Sequence, residues 1–147
     1  MVFKDRKIVV AMDGSENANK AAEWAINFAK DKDAKVIAVY VVQHAEKIGS
    51  KAAGEKAIEY AVKLGKEAAV EVNPVIVEHK IPANGKNIRI DAERKSPSEG
   101  IIEVAEDNNA DLIVMGTKGM TGLSHILLGS VAENVVRHSK IPVLVVR

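Results

Sequence analysis

Short apolar runs alternate along this chain with longer segments in which apolar residues recur every three or four positions, the pattern of a parallel β-sheet with crossover helices. The first run covers residues 8–12. After Asp13-Gly14-Ser15, the positions Ala18, Ala21, Ala22, Ala25 and Phe28/Ala29 share one helical face. A second run, residues 36–42, is followed after a looser stretch by Ala57, Ile58, Ala61, Val62, Leu64 and Ala68 at helical spacing, slightly weakened by Gly65. Residues 74–79 predict a third strand. Ser96-Pro97-Ser98-Glu99 then opens a third helix with a capping box and a proline at its first position, and Ile101, Ile102 and Ala105 face the sheet. Residues 111–115 predict a fourth strand, a fourth helix starts at Ser130, and residues 142–146 close the chain as a fifth strand. The expected fold is α/β: an open five-stranded parallel sheet of order 3-2-1-4-5 with helices on both faces.

The 147 residues fit a single domain, 1–147, long enough to remove roughly two-thirds of its unfolded surface from water. Twenty-one basic against twenty acidic side chains leave no field that would gather nucleic acid or an anionic membrane. With no cysteine, disulfides, thiolate metal sites and thiol catalysis drop out. The first residues lack the apolar stretch of a signal peptide, and no uncharged apolar run reaches the length of a membrane span, so a cytoplasmic protein is expected. Residues 80–95 break the rhythm. They are polar and highly charged, with Pro82 and an Asn84-Gly85 pair that favours a tight hairpin turn, and they read as a surface insertion.

The chemistry concentrates after the fourth strand. Gly116 and Gly119 are followed by nine residues and then by Gly129-Ser130, so the glycines fall where a strand hands over to a helix. Glycine there admits a ligand close to the backbone, and the first amides of the helix lack internal acceptors at its positive dipole end. This is the pattern of a phosphate cradle. The bland alternative is a tight strand end plus a Ser130–Glu133 capping box, which stabilises a helix by about 1 kcal/mol without any ligand. Neither the P-loop pattern nor the dinucleotide G-x-G-x-x-G occurs.

Geometry adds Asp13. In an open sheet of order 3-2-1-4-5, ligands sit beyond the carboxyl ends of the strands where the order reverses, between the first and fourth. The Asp13-Gly14-Ser15 turn and the Gly116-Thr117-Lys118-Gly119 loop would meet there across one crevice. Val41, ending the second strand, lies beside them, where its main chain can recognise a base edge. Ser15 is the expected N-cap of the first helix. Lys118 is placed within reach of phosphate, whereas His125 reads as a surface residue. His44, His79 and His138 show no metal-ligand spacing, so no protein-held metal is expected.

Asp13, the Gly116-x-x-Gly119 pair, Gly129-Ser130 and the closing Pro-Val-Leu-Val-Val of residues 142–146 together resemble the nucleotide-binding branch of the universal stress protein family, over nearly the whole chain. The resemblance implies a Rossmann-like fold of the adenine nucleotide alpha hydrolase type. It also implies ATP as ligand, with adenine near the main chain of Val41 and ribose near Asp13 and Gly116. Gly119, Gly129, Ser130 and the amide of Val131 would then hold the phosphates, with Mg2+ or Mn2+ carried by the nucleotide. The family ordinarily joins its third strand to the next helix by a short turn, so residues 80–95 depart from it.

Efficient phosphoryl transfer needs an anchored metal, a positioned nucleophile and cations on the developing charge. Only Asp13, Ser15 and Lys118 offer fragments of that set, so hydrolysis is expected to be slow or to depend on a partner. The reading is a nucleotide-responsive switch in stress response; the alternative is a scaffold of the same fold that binds protein and no nucleotide. The apolar last strand, at a sheet edge, predicts a homodimer through residues 142–147.

Overall fold

The computed structural model describes residues 5–42, 50–77, 96–117 and 128–147. In chain order these contain β1 (Lys7–Ala11), α1 (Glu16–Lys32), β2 (Lys35–Val41), α2 (Ser50–Ala68), β3 (Val72–Val77), α3 (Pro97–Asp107), β4 (Leu112–Gly116), α4 (Ser130–His138) and β5 (Val143–Val146). All neighbouring strands are parallel, in the expected order β3-β2-β1-β4-β5. The insertion at residues 80–95 lies outside the described residues, as do Lys118, Gly119 and His125.

Strand alternation sorts the core into two layers. Ile8, Val10, Val36, Ala38 and Val114 pack on one face under α1 and α2, which contribute Ala21, Ala22, Ala25, Ile26, Ala29, Ala57, Ile58 and Ala61. Val9, Ile37, Val39, Ile113 and Met115 pack on the other under α3 and α4, with Ile101, Val104, Ala105, Ala132 and Val135. The central strands are thus buried on both sides and read as continuous apolar runs. Each fully buried valine or isoleucine contributes about 1.5–3 kcal/mol relative to exposure.

Two boundaries differ from the sequence pattern. β3 starts at Val72, two residues before Pro74. As the edge strand, it tolerates Pro74: Val36 N donates to Glu71 O and Val42 N to Val77 O, so odd-numbered residues of β3 turn toward β2 and Pro74 turns its missing N–H outward. α2 starts at Ser50, seven residues before Ala57; its first turns expose Ala52 and Ala53, and the buried position, Gly54 against the ring of Tyr40, has no side chain to mark the inward face in the sequence.

The other helix starts follow from capping. Ser15 Oγ accepts from Ala18 N at 3.1 Å, and Ser96 Oγ accepts from Glu99 N at 3.3 Å, with Pro97 opening α3 as expected. No described helix is long and apolar enough to cross a membrane.

Candidate functional site

The chain leaves β1 and β4 toward opposite faces. After β1 it turns into α1 on the first layer, whereas after β4 it continues to α4 on the second. A crevice between their carboxyl ends is the geometrical consequence. The register sets its level: Ala11 pairs with Val39 and Val10 with Val114, so Asp13 continues level with Val41 on one side and Thr117 on the other.

The Asp13 turn forms one wall. Asp13 is exposed, and its Oδ1 accepts from Ser15 N at 2.8 Å, leaving Oδ2 without a partner among the described residues. Gly14 has φ +85°, a left-handed conformation that suits glycine. Ser15 is buried and its hydroxyl caps α1, so that oxygen serves the helix.

Val41 forms the floor. Val39 O accepts from Met12 N at 2.8 Å, and Val42 N donates to Val77 O at 2.8 Å. Main-chain directions alternate along a strand, so the amide and carbonyl of Val41 face the β1 side, where β1 has already ended at Ala11. Its side chain is taken up by α3: a Cβ on Gly100 would lie 2.8 Å from Val41 Cγ2.

The opposite wall is the corner from β4 to α4. Gly116 ends β4, and Thr117 N donates to Val146 O at 2.9 Å while Thr117 O accepts from Gly129 N at 2.6 Å. The buried Thr117 therefore ties the start of α4 to the end of the sheet. Sequence reasoning passed over it, because a threonine among glycines carries no pattern of its own.

Gly129 is the N-cap of α4 with no side-chain cap hydrogen bond. The expected Ser130–Glu133 capping box does not form. Ser130 is already the first helical residue, one position too late to cap, and Glu133 instead accepts from Arg137 Nη2 at 2.7 Å. The first carbonyl bond of the helix is Glu133 N to Gly129 O, at 2.9 Å, so the amides of Ser130, Val131 and Ala132 find no acceptor inside it. These donors and the helix dipole favour an anion at this end.

Thus Asp13 and Ser15 follow β1, Val41 ends β2, Gly116 ends β4, and Gly129, Ser130 and Val131 start α4, all at the carboxyl end of the sheet, while Lys118 and Gly119 fall outside the described residues. A separate groove of about 590 Å³ lies between α3 and α4, lined by Ser98, Glu99, Ile102, Glu106, Asn134 and His138. Its carboxylates repel a polyphosphate, which the α4 terminus attracts. Among the described residues, no group of three or more His, Asp or Glu side chains is placed to hold a metal ion.

The universal stress protein family matches residues 5–147. The chain is 44% identical to the universal stress protein MJ0531 of Methanocaldococcus jannaschii over 144 residues, covering 97% of this chain and 82% of that one. The solved structure of MJ0577 from the same organism aligns with a TM-score of 0.71 at 32% identity, covering 96% of this chain and 94% of that one. A universal stress protein solved in complex with cAMP aligns with the same TM-score of 0.71 at 26% identity, covering 98% of each chain. Sheet order, glycine corner and full-length likeness agree: the chain belongs to the universal stress protein family.

Proposed function

We propose that this protein binds ATP in the crevice between the ends of β1 and β4 and acts as a nucleotide-responsive switch in stress response. One observation carries the reading: the first turn of α4, at Gly129-Ser130-Val131, is uncapped and is tied through Gly129 N to Thr117 O, the residue that register puts level with Asp13. An adenine bound along the Val41 main chain, a ribose at Asp13 and phosphates at Gly119, Gly129, Ser130 and Val131 use donors and acceptors of matching kind. The cAMP-bound relative supports an adenine nucleotide as the ligand class.

Mg2+ or Mn2+ fits this site as a passenger on the phosphates, where it neutralises charge. Asp13 has one carboxylate oxygen held by Ser15 N and offers the other to a metal-bound water or a ribose hydroxyl. In this reading hydrolysis by the chain alone is slow, since Asp13, Ser15 and Lys118 are only fragments of the set that phosphoryl transfer needs, and a partner completes it. Lys118, outside the described residues, would add positive charge if the loop after β4 holds the phosphates.

The switch works as a homodimer through β5. Pro142 O accepts from Ile113 N and Val146 O from Thr117 N, so the even-numbered residues of β5 face β4 and Val143 and Val145 turn their main chain to the open edge. The described residues with large, exposed apolar side chains, Trp24 and Val136, stand on α1 and α4, the helices that flank that edge. An edge with apolar side chains on both faces suits a second copy.

The test is to purify the protein, extract it and identify any nucleotide by mass, then titrate the emptied protein with ATP and Mg2+ by calorimetry. Adenine nucleotide in the extract and saturable binding are expected. A clean extract with no binding overturns the reading in favour of a nucleotide-free scaffold.

A further inference from the structure

The contact between Gly116 and α1 gives that glycine a role separate from ligand approach. A Cβ built on Gly116 would lie 2.7 Å from Asn17 Cβ, 2.8 Å from its carbonyl carbon and 2.9 Å from its carbonyl oxygen. All three are closer than real Cβ contacts come. Two are backbone atoms, so no rotamer change relieves them. Side-chain-free residues in strands mark such close approach of another backbone.

Both walls of the crevice meet at this point. On one side Asn17 belongs to the first turn of α1, which carries the Asp13 turn with it through the bonds Ser15 N to Asp13 Oδ1 and Ala18 N to Ser15 Oγ. On the other, Gly116 pairs with Val146, and the next residue, Thr117, holds the start of α4 through Gly129 N. The seat continues along the helix: Ala21, one turn on from Asn17, is completely buried.

We infer that Gly116 is a positioning residue: by carrying no side chain it lets α1 seat on β4 at Asn17, and that seat sets the width of the crevice between the Asp13 turn and the α4 terminus. The inference rests on the nucleotide reading above and revises one part of it, since Gly116 then serves the helix and not the ribose. A methyl group there lifts the first turn of α1 and draws Asp13 away from the phosphate wall. The ligand loses the convergence of the two walls even though no ligand-facing group is removed.

Two variants separate this from direct contact. Gly116→Ala adds a methyl at the seat, and Ala21→Val wedges the same helix from one turn away without placing any atom at the crevice. Folding is checked by circular dichroism, and the seat is read in nucleotide-free protein by amide shifts of residues 13–18. The chain's single tryptophan, Trp24, stacked on Phe28 at 5.0 Å, reports the same helix by its emission. Both variants are expected to move these signals and to weaken ATP binding in the presence of Mg2+ by about tenfold or more, a loss of roughly 1.4 kcal/mol. The inference is overturned if Gly116→Ala weakens binding while α1 stays in place. It also fails if Ala21→Val, the variant to rely on should Gly116→Ala not fold, moves α1 and leaves affinity unchanged. Should the unmodified protein bind no ATP, the nucleotide reading fails, yet the nucleotide-free signals still report whether Gly116 seats α1.

Discussion

Arg6 and Asp111 lock the amino ends of β1 and β4 together: Arg6 Nη1 donates to Asp111 Oδ1 at 2.8 Å, while Asp111 Oδ2 accepts from Lys7 N at 3.0 Å. Asp111 N in turn donates to Lys7 O at 2.8 Å. One carboxylate thus satisfies a guanidinium and a main-chain amide at the end of the sheet remote from the crevice.

Asp111→Asn keeps the shape and removes the charge, and it is expected to cost about 1–2 kcal/mol, since charge-assisted bonds exceed neutral ones. Thermal unfolding should show the loss at about 2–4 °C per kcal/mol. ATP affinity should be unaltered, because the lock and the crevice lie at opposite strand ends. A variant that folds with full stability would show that the sheet register needs no help from this pair.

The sheet was legible because its signals are redundant. Residues 8–12 and 36–42 pack on both faces of the sheet and their helices repeat small apolar residues at helical spacing, so the element types follow from pattern. The capping of α1 and α3 was equally open to reading, since Ser15 and Ser96 act within three residues of themselves. At α4 the same local logic failed. Ser130 followed by Glu133 matches a capping box, yet the hydrogen bond between Gly129 N and Thr117 O fixes Gly129 as the cap and moves Ser130 into the helix. That bond depends on β4 reaching Gly116, a tertiary fact. The Gly116–Asn17 contact was hidden for the same reason: nothing in either residue's neighbourhood in sequence names the other.

The uncapped start of α4 makes Ser130→Ala informative. Because the serine hydroxyl makes no cap bond, the variant should change stability by less than about 0.5 kcal/mol, unlike a true N-cap loss of about 1 kcal/mol. The hydroxyl remains available to a phosphate, so ATP affinity should fall by about threefold to tenfold. Urea unfolding and calorimetry on one preparation give both numbers. A large stability loss would restore the capping reading.

Dimerisation through β5 can be tested at a position that the sheet itself does not use. Val145 directs its main chain to the open edge, so Val145→Pro removes an edge donor without breaking a bond to β4. Sedimentation should show a dimer for the unmodified protein and a monomer with unchanged helix content for the variant. Trp24→Ala should weaken the dimer in the same direction. A dimer that survives both changes is held by another surface.

Tyr60 makes a small part of the stability depend on alkaline pH. Its hydroxyl donates to Glu23 Oε1 at 2.9 Å across the α1–α2 contact, and this bond, then burial, then the charges of Glu23 and Glu67, raise its pKa above the ordinary 10.0. The folded state therefore holds the phenol proton more tightly than the unfolded chain. That contribution is complete below the unfolded value and disappears as pH rises through the higher folded one. Urea unfolding at pH 8 should place Tyr60→Phe below the unmodified protein by a few tenths of a kcal/mol, the range of exposed pairs. As pH rises through the folded value the two should converge; a gap that persists once the phenol is ionised in both states would assign the difference to packing.

Gly129 carries the sharpest trade between stability and binding. Its φ of −67° and ψ of 161° suit any residue, so glycine is not required there by backbone conformation. Serine is a somewhat better N-cap in principle, because its oxygen accepts from the unpaired amides of the first turn. Gly129→Ser should therefore stabilise the protein by a few tenths of a kcal/mol, the usual gap between glycine and serine at this position. The same oxygen occupies the amides that a phosphate would use, and the side chain fills the approach to them. ATP affinity should fall by about tenfold or more while the melting temperature rises. If affinity is kept, the phosphates do not lie on the α4 terminus, and a cradle built on Gly129 is the wrong place to look for them.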